Sequence, residues 1–150
     1  MKQRKTWLIT SIIVTLISFY LLVSGSRLLT VLLIDKPQLP LGTISTWFGF
    51  IGLSSSVYFG VKNLRVPQNW MEKLLSQQLK ASLTLSILWI LISYLLAGNL
   101  SFTFTESKTF QGGQSAMKIF WTLNYAIVII PILTLFSYYI LRNLKSLNKQ

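Results

Sequence analysis

Residues 7–26, WLITSIIVTLISFYLLVSGS, form an apolar run of 20 residues without a single charge. A helix needs about 20 mostly apolar residues to cross the ~30 Å hydrocarbon core of a bilayer. Three further apolar stretches follow, and the spans are placed at 7–34, 43–60, 81–98 and 119–141. The cores of all four lack Asp, Glu and Lys. The sequence therefore predicts an all-α integral membrane protein, with residues 1–150 forming one compact bundle of four transmembrane helices and little left over for a soluble domain.

The charges lie between and beside these stretches. There are 14 basic and 3 acidic residues, a formal net charge of +11. In a soluble chain that excess would point to nucleic acid. Here it flanks membrane spans, so the expected partner is a bilayer with anionic head groups, not nucleic acid. With both termini inside, ten basic residues fall on the inner side (Lys2, Arg4, Lys5, Lys62, Arg65, Lys73, Lys80, Arg142, Lys145, Lys149). Four fall outside: Arg27, Lys36, Lys108 and Lys118. The positive-inside rule thus predicts an N-in, C-in topology. The basic start resembles that of a secretory signal, and Ser24-Gly25-Ser26 mimics a cleavage site. The apolar run is longer than a signal core, so a retained first span is expected.

The first stretch is longer than one crossing. Leu28–Ile34 either carries a helix beyond the bilayer or follows a bend near Gly25. Asp35-Lys36-Pro37 ends it, because proline disfavours helix in the residue before it. Between the second and third spans, Trp70, Met71, Leu74, Leu75 and Leu79 recur at helical spacing, opposed by Lys73, Gln77 and Lys80. This pattern suits an inner-face amphipathic helix before the third span. It equally suits an extension of that span. Either way Lys73 and Lys80 should meet lipid head groups. In the outer loop, residues 99–118, Leu100, Phe102 and Phe104 alternate with hydroxyl residues at strand period. Asn99-Leu100-Ser101 matches the glycosylation pattern but abuts the membrane.

Groups for chemistry are scarce. There is no cysteine and no histidine, which removes thiolate ligands, the commonest axial haem ligand and the commonest general base. Asp35, Glu72 and Glu106 are scattered, and none falls within a span. A proton relay would normally place an ionisable group there. No enzyme activity, metal or cofactor is expected. Arg27, embedded in apolar sequence, is read either as an anion or lipid-phosphate ligand or as an ordinary interfacial arginine.

The clearest motif lies in the second span. Ser45, Gly49, Gly52, Ser56 and Gly60 recur at spacings of four, three, four and four. At ~100° per residue they form one narrow face, which lets another helix approach closely. Packing inside the chain's own bundle is one use of such a face, and docking on another subunit is the other. Ser11, Thr15, Ser18 and Gly25 share a softer face in the first span, and Ser82, Ser86, Ser93 and Ala97 one in the third. Trp89 sits on that third face and is expected to fill the groove over Gly49 and Gly52. In the fourth span Asn124, Pro131 and Tyr138 align, and Pro131 should kink the helix.

Two functional classes follow. The first is a non-catalytic accessory, assembly or scaffold subunit of a larger membrane complex, partnered by other membrane subunits or by itself. The second is a small oligomeric transporter or channel with a Ser/Thr/Asn-lined path. Short loops and the lack of cysteine suit a bacterial inner membrane, with thylakoid or organellar membranes as alternatives.

Overall fold

The computed structural model describes residues 2–101, 104 and 110–147, and the side chains from residue 3 to residue 144 of these. The chain is mostly helical. Helix α1 spans Lys2–Ser24, α2 Leu41–Gly60, the short α3 Lys62–Arg65, α4 Trp70–Ala97 and α5 Gly113–Leu147. Among the described residues, Gln3–Ser24, Trp70–Ala97 and Gly113–Leu144 are long and apolar enough to cross a membrane. These three helices define a membrane-embedded protein. Helix α2 is 20 residues long, but half of them are Gly, Ser or Thr, which dilutes its hydropathy.

Helix α1 ends at Gly25, whose φ of 58° is left-handed. Glycine takes that conformation without a Cβ penalty and so stops helices cleanly. Ser26 then caps a 3-10 turn over Arg27–Thr30 by accepting from the Leu28 N–H at 3.3 Å. Strand β1, Leu32–Ile34, pairs antiparallel with β2, Leu39–Pro40. The segment 28–34 therefore does not extend the first span as helix. Its β-branched residues Val31 and Ile34 and the flanking Pro37 and Pro40 favour extended backbone instead. This hairpin is the one departure from an all-helical fold among the described residues.

Helix α4 runs unbroken from Trp70. The amphipathic stretch is thus an extension of the third long helix and not a separate surface helix. Leu75 and Leu79 turn inward, while Trp70, Met71 and Leu74 stay exposed. Helix α5 starts six residues before the apolar stretch and continues through Pro131, which is fully buried. Half of the strand-like alternation in the outer loop (102, 103 and 105), together with Glu106 and Lys108, lies outside the described residues.

The long helices alternate in direction. Arg4 donates to the carbonyls of Phe59 and Gly60, so the start of α1 meets the end of α2. Asn63 reaches Glu72 at the start of α4, and that corner faces Tyr138 and Arg142 near the end of α5. At the hairpin end, Leu41 N–H donates to Val31 O, and Gln111 N–H to Ala97 O. Helix α1 packs on α2 and α4 packs on α5, with α2 bridging the two pairs. One apolar cluster holds the Arg4 end through Val57, Val61, Leu64, Leu79 and Tyr138. A second, around Trp89, Phe120 and Ile127, fills the middle and the hairpin end.

Candidate functional site: a hydroxyl-lined seam and the surfaces around it

The buried face of α4 carries Ser76, Ser82, Ser86, Trp89, Ser93 and Ala97, all essentially inaccessible. Serine occurs there because small side chains let backbones approach, and its hydroxyl can bond across helices where no water competes. Ser82 donates from Oγ to the Ile127 carbonyl of α5 at 3.3 Å. Ser86 donates to the Ser82 carbonyl of its own helix at 2.8 Å. Ser54 of α2 lies 3.2 Å from Ser82 Oγ and 3.3 Å from Ser86 Oγ. A hydroxyl has one proton. With those of Ser82 and Ser86 already spent, Ser54 is the donor, and its single proton goes to one of the two at a time. One small knot of hydroxyls thus ties α2, α4 and α5 together.

Tryptophan supplies the flanking ties. Trp47 Nε1 donates to the carbonyls of Ser86 and Ile87, both at 3.1 Å. Trp89 Nε1 donates to Asn124 Oδ1 of α5. The Trp89 ring stands edge-on to Phe50, centroids 5.4 Å apart at 86°. Buried indoles commonly find such a polar partner.

The expected contact of Trp89 with the glycines is replaced by a different one. A methyl group built on Gly49 would come within 2.8 Å of Ser18 Cβ. One built on Gly52 would lie 2.6 Å from Thr15 Oγ1 and 3.0 Å from the Ser11 carbonyl. At Gly60 the near neighbour is Leu8, at 3.7 Å. The glycines therefore face α1. Trp89 meets α2 at Phe50 instead, which stands ~100° round the helix from Gly49. Ser45 is buried, and Ser56 bonds back to the Leu53 carbonyl at 2.8 Å. On the facing helix Ser11 and Thr15 likewise bond back to the carbonyls four residues earlier.

The basic residues singled out from the sequence do not converge. Arg27 is exposed at the hairpin end, and Lys73 and Lys80 are exposed along α4. Two cavities were not legible in the sequence. An apolar groove of about 310 Å³ opens between α1, α2 and α5, lined in part by Leu16, Phe19, Leu22, Phe50, Val128 and Ile132. A polar cleft of about 420 Å³ lies at the Arg4 end, where Asn63, Gln68, Asn69, Glu72, Tyr138 and Arg142 converge. Glu72 lies in the polar first turn of α4, before the apolar stretch begins. Partial burial pushes its pKa up, but hydrogen bonds from Gln68 N–H, Asn63 and Asn69 outweigh that and hold it below the ordinary carboxylate value. The seam's own polar groups are hydroxyls, indoles and an amide, several of which bond across helices.

Searches of protein-family models, curated proteins and solved structures find no match to this chain.

Proposed function

We propose that this chain is a non-catalytic accessory, assembly or scaffold subunit of a larger membrane complex. In this reading α2 spans the membrane alongside α1, α4 and α5, both termini face the cytoplasm or its equivalent, and the membrane is a bacterial inner membrane. The observation that carries it is the placement of α1. Among the long helices that helix packs chiefly on α2, and only 11% of its most apolar stretch is buried. Beside it the groove toward α5 is walled by apolar side chains. Of the polar groups in the bundle, Ser54, Ser82, Trp47 and the Trp89–Asn124 pair join helices. Such a chain offers flat and grooved apolar faces to a neighbour.

One observation favours a second reading. Ser76, Ser93 and Thr134 have buried hydroxyls with no hydrogen-bond partner among the described residues. Buried polar groups are rarely left so. Lined up with Ser82 and Ser86 they are the raw material of a polar path, as a small transporter or channel would need. Purification in mild detergent separates the two. A stoichiometric complex with other membrane proteins supports the subunit reading. A homo-oligomer that passes small solutes in liposomes overturns it.

A further inference from the structure

The polar cleft at the Arg4 end brings together two opposite charges from different helices. Glu72 comes from the first turn of α4 and Arg142 from the last turns of α5. They line the same cavity yet form no ion pair within 4.0 Å. Glu72 is prepared as an acceptor. Oε1 takes a hydrogen bond from Asn63 Nδ2 at 3.2 Å, and Oε2 one from the Gln68 N–H at 2.9 Å. Asn69 adds to these bonds, and the carboxylate they hold ionised keeps its negative charge for a cation in the cleft. Arg142 is exposed and donates to no described residue. Its planar fork matches a phosphate better than any other side chain does.

The surroundings narrow the ligand. Leu141, Met71 and Tyr138 line the same cleft, so an apolar wall adjoins the charges. Exposed Trp70 stands one residue before Met71, and exposed Lys73 one after Glu72. Tryptophan and lysine at the end of an apolar helix mark the depth of lipid head groups. A water occupies about 30 Å³ of liquid, so a cavity of about 420 Å³ holds a head group and several waters. The ligand must bring an anion for Arg142 and a cation with N–H donors for Glu72. A quaternary ammonium has no such donors, and a single lining aromatic, Tyr138, builds no cage for it. A glycerol head group brings no cation at all.

We propose that this cleft binds a phosphoethanolamine group, with the phosphate on Arg142 and the primary ammonium on Glu72. The group comes either from a membrane phospholipid or from the free glycerophosphodiester. The test uses the full-length protein in mild detergent, offered an equimolar mixture of phosphatidylethanolamine, phosphatidylcholine and phosphatidylglycerol. Native mass spectrometry then counts the retained lipid. Selective retention of one phosphatidylethanolamine per chain is expected. Arg142→Gln should lower phosphatidylethanolamine retention about tenfold, the order set by one lost charge-assisted hydrogen bond. Because Arg142 has no described partner, this variant leaves the fold intact. Glu72→Gln should abolish the preference over phosphatidylcholine, with helix content checked by circular dichroism. Lys73→Gln, one residue along α4, should leave it unchanged. Competition by soluble glycerophosphoethanolamine assigns the free group as sufficient, and failure to compete assigns the lipid. Equal retention of all three lipids, or phosphatidylethanolamine retention indifferent to Arg142→Gln, would overturn the proposal.

Discussion

Ser82 of α4 donates its hydroxyl to the Ile127 carbonyl, the one carbonyl in α5 that Pro131 deprives of its helical partner. Proline has no N–H, and residue 131 would otherwise donate to residue 127. A proline is tolerated in a membrane helix where a neighbouring hydroxyl re-satisfies the freed carbonyl. Ser82→Ala should therefore destabilise the protein by roughly 0.5–2 kcal/mol, the span measured for interhelical hydrogen bonds in bilayers. In a Pro131→Ala background, where the helix supplies its own donor, the same change should cost clearly less. Unfolding in mixed detergent micelles gives the cycle. Equal costs in the two backgrounds would show that Ser82 acts by packing alone.

The α1–α2 interface makes a separate prediction. Gly52 leaves no room for a side chain beside Thr15 and the Ser11 backbone. Gly52→Leu should overpack that contact at a cost of roughly 1–3 kcal/mol, by analogy with soluble cores. Thr15→Ala should partly relieve it, because Thr15 Oγ1 is the nearest obstacle. Trp89→Ala should not. Relief by Trp89→Ala and none by Thr15→Ala would place α4, not α1, over the glycine.

These two relationships show what the sequence carries and where it stops. Spacing revealed that Gly49 and Gly52 share one narrow face, but periodicity does not say which of three neighbouring helices will use it. The serine face of α4 was legible in the same way. Its link to Ile127 was not, because it depends on the axial register of two helices some forty-five residues apart. Hydropathy located the apolar lengths and missed the ends. It joined Leu28–Ile34 to the first span, since an apolar run alone does not distinguish helix from strand. Gly25 was the local signal for the break. The last helix also begins before its apolar stretch, because Gly113–Lys118 is helical without being apolar. The cleft was invisible for a different reason. Glu72 and Arg142 were read separately, as an isolated carboxylate and a tail cation.

Glu72 predicts a pH dependence. Its folded-state pKa lies below the ordinary value of 4.5 because Gln68 N–H, Asn63 and Asn69 stabilise the carboxylate more than burial penalises it. A depressed carboxylate pKa adds stability that is fully present above the unfolded-state value and is lost as pH falls through the folded one. Stability of the α3–α4 corner should therefore decline below about pH 4.5, with Glu72→Gln removing that part of the acid limb. Hydrogen exchange at Gln68 across this range reads it out. An acid limb unchanged by the substitution would assign the loss to other groups.

The proposed topology is tested by labelling. The chain has no cysteine, so single cysteines at Gln3, Gln78, Gln111 and Asn148 introduce the only thiols. Ten of the fourteen basic residues lie in segments assigned to the inner side. An impermeant thiol reagent should label position 111 alone in intact cells. Labelling at 3, 78 and 148 but not at 111 would reverse the orientation. Labelling of 78 and 111 on the same side would remove α4 from the set of spanning helices.

Trp89 and Asn124 offer the sharpest measure of the seam between α4 and α5. The indole N–H and the amide oxygen are both buried, and each is the other's described partner. Removing one member strands the other in a medium without water, at about 1–3 kcal/mol. Asn124→Leu should incur that cost, because it fills the space but leaves the Trp89 N–H unmet. Trp89→Phe should incur a smaller one, since the amide of Asn124 can turn toward its own helix backbone. The pair Trp89→Phe with Asn124→Leu removes donor and acceptor together, and its total should fall well short of the sum of the singles. Phe50 and Phe120 still flank the ring site, with centroids 5.4 and 6.3 Å from that of Trp89, so an apolar pair there remains packed. Strict additivity in the cycle would mean that the hydrogen bond contributes nothing and that ring packing alone holds the two helices together.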